Sequence, residues 1–93
     1  MFSWDIQKAI LNFEKHGVSF EEAATAFDDD MGLDWEDIEH SEVEPRRKRP
    51  AMSEIDRLLL IVYTNREFEN GKETIRIISA RRASRRERRA YFG

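Results

Sequence analysis

RLLLIVYT, Arg57 to Thr64, and ETIRIISA, Glu73 to Ala80, decide the fold. The first stretch is apolar on both alternating faces, the pattern of a central strand covered on both sides. The second alternates, with Ile75, Ile77 and Ser79 on one face and Thr74, Arg76 and Ile78 on the other. Between them Asn65 to Lys72 turns the chain, and Asn70 and Gly71 supply the turn chemistry. The two strands are predicted to be antiparallel neighbours joined by a loop longer than a tight hairpin. An arginine inside such a strand must reach the rim, pair with a carboxylate or line a site, which singles out Arg76. On strict alternation Arg76 and Arg81 lie on opposite faces, and a bulge or strand end is needed to bring them together.

Working outward toward the N-terminus, PRRKRPAMS (Pro45 to Ser53) contains a proline that lacks a backbone donor, so Pro50 argues for an edge strand or a loop. Its basic run, Arg46, Arg47, Lys48 and Arg49, suits phosphates or a solvated loop equally. The acidic stretch from Met31 to Glu44 reads as one short strand and a loop anchored by Leu33 and Trp35. Before it, Asp5 is an N-cap, Ile6, Ala9, Ile10 and Phe13 recur at helical spacing, and Gly17 stops a first helix. Ser19 and Glu22 form a capping box for a second helix, with Phe20, Ala23, Ala24 and Phe27 as its stripe. Asp28, Asp29 and Asp30 follow it and are expected just past its end, facing water. On the other side of the strand pair, Ser84 and Glu87 make a further capping box that opens a basic helix, Arg85 to Phe92. The order is helix, helix, three to four strands, helix: an α+β domain spanning residues 1–93.

The 93 residues are 40% hydrophobic with no cysteine, so no disulfide framework, thiol nucleophile or thiolate metal site is available. The longest apolar run, Leu58 to Tyr63, is far short of a membrane span, and the N-terminus lacks the features of a signal peptide, so a soluble cytoplasmic protein is expected. The net charge of −3 conceals an asymmetry, because residues 1–44 sum to −11 and residues 45–93 to +8. That split fits either a face for a polyanion or acidic partner, or mutual neutralisation of the two halves.

G-x-S-x-G, phosphate-binding glycine loops and H-E-x-x-H are all missing, and His16 and His40 are the only imidazoles. Arginine is abundant. Its planar donors fit phosphate and stabilise charge growing on phosphorus, while RNA brings its own nucleophile, the 2′-hydroxyl. Cleavage through that hydroxyl needs a base, an acid and cations, but no metal or cofactor.

FSWD at Phe2 to Asp5, Lys8, Asn12 and KHGVSFEEA from Lys15 to Ala23 resemble the N-terminal signature of BrnT-type toxins, small ribonucleases of bacterial toxin-antitoxin pairs. The likeness continues through Phe27, Asp28, HSEVE (His40 to Glu44), Arg46, Ser53, Arg57 and VYTNR (Val62 to Arg66). It resumes with IRIISAR (Ile75 to Arg81), Ala83, ERR (Glu87 to Arg89) and Tyr91, and so covers almost the whole chain. The resemblance implies a RelE-like fold, with two N-terminal helices, a twisted and mainly antiparallel sheet of three to four strands, and a C-terminal helix. It also implies metal-independent RNA cleavage that halts translation, with no cofactor. Neutralisation by a BrnA-like, DNA-binding antitoxin in a 2:2 heterotetramer follows from the same likeness, with operator DNA reached only through the antitoxin. Three departures stand out: Pro50 and Ala51 replace an isoleucine-glycine strand end, Asp56 stands where the family has glycine, and the turn after Asn65 is longer.

Arg57, Arg66, Arg76 and Arg81 occupy family-pattern positions and are the candidates for phosphate binding and transition-state stabilisation. Lys15 and His16 are candidates for RNA binding or proton transfer, although a cation closing a helix is also favoured by the dipole. His40 reads as a solvated loop histidine or, among carboxylates that favour its proton-donating form, as a proton donor. Arg46, Arg47, Lys48 and Arg49, and Arg85 and Arg88 on the last helix complete the candidate nucleic-acid contacts, together with Tyr63, which reads first as a core-edge aromatic and second as a base-stacking ring. A second class of function stays open, a catalytically silent module whose basic half only holds an antitoxin or nucleic acid.

Overall fold

The computed structural model describes residues 1–40, 44–67 and 70–93, with the His40 side chain outside that set. The expectations placed on Ser41 to Val43, on the His40 imidazole, and on Phe68 and Glu69 in the turn therefore lie outside the described residues. In chain order the elements are β1 (Phe2–Ser3), α1 (Ile6–His16), α2 (Phe20–Thr25), β2 (Trp35–Glu36), β3 (Arg47–Met52), β4 (Leu58–Glu67), β5 (Glu73–Arg82) and α3 (Arg85–Phe92). Short 3₁₀ turns occupy Ala26–Asp28 and Ile38–His40. The α+β class is as expected, with two corrections. A short strand precedes the first helix, and the sheet has five strands, in the order β1-β5-β4-β3-β2. It is mixed, because β1 runs parallel to β5 while the other pairs are antiparallel.

The helix ends follow from their caps. Asp5 accepts from the Lys8 N–H, and Gly17 takes the left-handed conformation (φ 69°) that closes α1 with its N–H on the Phe13 carbonyl. Ser19 accepts from the Glu22 N–H, but the Glu22 carboxylate turns away to Ser53 and Arg57, so only half of the expected box is made. At α3 both halves form, Ser84 with the Glu87 N–H and Glu87 with the Ser84 N–H.

β4 is central, as its two-sided apolar pattern requires. Leu59, Ile61 and Tyr63 face Val18, Phe20, Ala23 and Ala26 from the helix layer, together with Ile77 and Ala80 from β5. Asn12 stands in for an apolar residue on the inner face of α1, donating to the carbonyls of Val18 (3.1 Å) and Ala80 (2.8 Å) and accepting from the Ala80 N–H (3.1 Å). Ile6, Ile10 and Phe13, the larger residues of the helical stripe, are exposed. The helix rests on β5 through small Ala9 and through Asn12, and this turns its larger apolar residues outward.

Pro50 lies inside β3, which is not an edge, since β2 and β4 flank it. The Leu33 N–H donates to the Pro50 carbonyl, so the backbone polar groups of Pro50 point away from β4, past the end of the two-residue β2. Its missing donor breaks no bond to β4. Asp56 adopts φ 60°, which explains why glycine suits that position in the resembled family. The β4–β5 strands run on to Glu67 and from Glu73, so Asn65 to Glu67 are strand and the connection is shorter than predicted.

Candidate functional site

One feature of β5 sets the geometry. Ser79 pairs with Val62 whereas Ile77 pairs with Tyr63, leaving Ile78 as an extra residue at a bulge. The bulge moves Ser79 and Arg81 onto the face that carries Arg76, so the strict alternation expected for this strand is broken where the two arginines need it. Arg76 lies opposite Thr64, and Arg81 opposite Leu60. Both point away from α1 and α2.

On that face α3 crosses one end of the sheet. Arg81 is bound by Glu87 of its first turn through both Nη1 (2.8 Å) and Nη2 (2.9 Å), and Tyr91 of its last turn donates to Asp29 Oδ2 (2.7 Å), beside β3. Burial alone would raise the Glu87 carboxyl, but Arg81 and the Ser84 N–H hold it below its ordinary value. The remainder of the face is a shallow groove of 220 Å³. Leu60 and Val62 form its floor, Ile78, Ser79 and Arg81 one wall, and Arg46, Lys48 and buried Asp37 the other. Lys48 Nζ stands 3.8 Å from Asp37 Oδ1. Arg76 has no hydrogen-bond or ion-pair partner among the described residues. Arg66, opposite Thr74 on the same face, is exposed and reaches Glu44 at 3.2 Å.

Strand alternation divides the basic run Arg46 to Arg49. Arg46 and Lys48 line the groove, while Arg47 and Arg49 turn to the other side. Arg49 is buried there: its Nε donates to Ala26 O, Nη2 to Asp29 O (2.7 Å) and Nη1 to Asp34 Oδ2 (2.9 Å), and the guanidinium lies over the Phe27 ring. Gly32 is close-packed against that guanidinium, and a Cβ there would collide with it. Residues 4–87 match the family described as ribonuclease toxin, BrnT, of type II toxin-antitoxin systems. The chain belongs to that family. Membership makes it the toxin half of such a pair, with ribonuclease activity, an RNA target and an antitoxin partner. Comparison with curated proteins finds no match.

The remaining candidates of this BrnT toxin are distributed as follows. Arg57 does not reach the open face. Its guanidinium grips the carboxylate of buried Glu22 through Nε (2.9 Å) and Nη2, and Nη2 also donates to Gly17 O. The Arg57 hydrogen bond holds the Glu22 carboxyl below its ordinary value against the opposing effect of burial. Lys15 and His16 close α1 in the helix layer, behind the sheet. Tyr63 is 5% exposed, packs edge-on against Phe27 and donates to Asp34 Oδ1 at 2.5 Å, so its ring offers no free face to a base. Burial and Asp34 push its phenol up to about 12. Arg85 and Arg88 lie exposed on α3, Arg88 over the ring of Phe92. Asp29 does not face water as expected. Burial pushes its carboxyl up, but the N–H groups of Met52 and Met31 and the Tyr91 hydroxyl bind it and bring it below its ordinary value. Among the described residues no three acidic or histidine side chains converge as metal ligands, and no helix is long and apolar enough to cross a membrane.

Sequence reasoning missed Asp37, one carboxylate among six in the stretch from Met31 to Glu44; only its burial in the groove separates it from the others.

Proposed function

We propose that the open sheet face is the ribonuclease site and that it cleaves RNA through the 2′-hydroxyl without a metal or cofactor. The observation that carries this reading is the bulge at Ile78, which puts Arg76 and Arg81 on one face with a groove between Arg81 and Lys48. A backbone phosphate lies in the groove with Arg81 and Arg46 on its non-bridging oxygens, and Arg76 and Arg66 follow the strand beyond it. The 2′-oxygen attacks the adjacent phosphorus, its proton passing to Asp37. The bond to the 5′-oxygen breaks, that oxygen takes a proton from Lys48, and the products are a 2′,3′-cyclic phosphate and a free 5′-hydroxyl. Glu87 fixes the Arg81 guanidinium at the groove wall before substrate arrives, so that little reorganisation is needed in the transition state. Lys15, His16, Arg57, Arg49 and Tyr63 take no part in this step, and Arg85 and Arg88 extend the positive surface for the flanking RNA.

The fold is RelE-like and acts as one domain over residues 1–93, in the bacterial cytoplasm, where RNA cleavage inhibits translation. A BrnA-like DNA-binding antitoxin neutralises it in a 2:2 heterotetramer, and operator DNA is contacted through the antitoxin alone. Family membership supports these assignments.

The test is cleavage of a defined RNA in EDTA by the wild type and by Arg76→Ala and Arg81→Ala, with folding checked by circular dichroism. The expected result is cutting by the wild type and a loss of roughly 100-fold or more in each variant. Full activity in both variants would move the site off this face. If the wild type leaves RNA intact both alone and on ribosomes, the silent binding module is the correct reading.

A further inference from the structure

α1 presents two unlike faces. The inner one sets Ala9 and Asn12 against β5, whereas Ile6, Ile10 and Phe13, one helical turn apart, are 70%, 49% and 56% exposed. With Phe20 at the start of α2 they line an apolar groove of 470 Å³, to which Glu14 and Glu21 contribute carboxylates. Single exposed apolar residues are ordinary, but a contiguous stripe opening into a groove marks an interaction surface. The groove lies in the helix layer, across the sheet from the arginines of the open face.

Charge decides the occupant. The half of the chain that builds this groove sums to −11, and both ionisable side chains lining it are acidic. RNA is repelled there. A second copy of the chain docking by the same surface would set Glu14 and Glu21 against their own symmetry mates, placing like charges at the interface. An amphipathic helix with an apolar face and basic flanks satisfies both the stripe and the rim. We infer that the α1–α2 groove is where the antitoxin docks, by such a helix, with apolar residues on Ile6, Ile10 and Phe13 and lysine or arginine on Glu14 and Glu21. The inference rests on the toxin-antitoxin reading and adds to it the surface and the chemistry of the partner segment. It also separates the docking surface from the RNA-cleaving face, so that each can be altered without the other.

The experiment titrates the cognate antitoxin, the product of the gene paired with this toxin, against the full chain. The variants are Ile10→Asp with Phe13→Asp, and Glu14→Lys with Glu21→Lys. All four side chains are exposed, and circular dichroism confirms the fold. The apolar pair is expected to weaken binding by roughly 100-fold, and the charge reversal by about tenfold at low salt, with RNA cleavage unchanged in both. Antitoxin affinity within twofold of wild type for Ile10→Asp with Phe13→Asp overturns the inference. So does a free toxin that self-associates through this stripe, becoming monomeric in that variant while keeping its antitoxin affinity. Tighter binding after charge reversal overturns the basic character assigned to the partner. An inactive wild type would sink the cleavage reading alone, since the titration does not depend on catalysis.

Discussion

The arginines behind the sheet and those on its open face are the same residue in two different states. Behind it, Arg49 and Arg57 have their guanidinium donors turned to carbonyls and carboxylates, and both guanidiniums bridge parts of the chain distant in sequence: Arg57 joins the β3–β4 turn to α2, and Arg49 joins β3 to the 3₁₀ turn at Ala26 and to Asp34. On the open face Arg76 has no described partner, and Arg81 is held by a single carboxylate at the edge of a groove. A guanidinium whose donors are spent on the fold has nothing left for a phosphate, whereas one held from a single side keeps both its charge and its position. The charge asymmetry does not divide face by face. Among the described residues the ion pairs Glu22–Arg57 and Asp34–Arg49 join the acidic half to the basic half behind the sheet, and Asp37–Lys48 and Glu44–Arg66 join them on the open face, while Arg76 and Arg81 make no ion pair with the acidic half.

Arg49→Ala should have the largest effect, a cost of about 3 kcal/mol, because the Ala26 and Asp29 carbonyls and the Asp34 carboxylate lose their donor. Thermal unfolding should then fall by roughly 10 to 20 °C in a domain of this size, with RNA cleavage per folded molecule retained. An unchanged melting temperature would break the contrast between the two faces. Glu22→Gln should cost about 2 kcal/mol near neutral pH, measured by urea titration. Its acid dependence carries a sign. Because the folded carboxyl lies below its ordinary value of 4.5, its contribution is full above that pH and is lost as pH falls through the lowered folded value. Asp29 and Glu87 act in the same direction, so wild-type stability should drop below about pH 4.5, with a shallower slope in Glu22→Gln. The smallest effect is expected for Asp56→Gly in the turn that delivers Arg57. Relief of the left-handed backbone should slightly exceed the added chain entropy, a gain of about 0.5 kcal/mol readable as a higher urea midpoint.

Local rules made much of the fold legible. Asp5, Gly17, Ser19, Ser84 and Glu87 marked helix ends that the structure keeps, because capping involves groups within a few residues of one another. The two-sided apolar run placed β4 at the sheet centre for a similarly local reason, its own composition. Pairing over distance was not legible. β1 is two residues long and exists only because β5 offers it an edge, and nothing in Phe2 or Ser3 announces a parallel partner more than seventy residues away.

The site divides along the same line. Sequence alone determined that the chain is rich in arginine, the side chain whose planar donors fit phosphate, and holds no cysteine, and the motifs running through it identified the family. Which arginines line the open face was decided only by tertiary structure. Strand parity on β3 split Arg46 and Lys48 from Arg47 and Arg49, Glu22 claimed Arg57, and one extra residue at Ile78 turned Arg81 to the side of Arg76. A side chain's chemistry belongs to its residue, but the direction it faces and the partners that saturate it are set by neighbours that the linear order keeps apart.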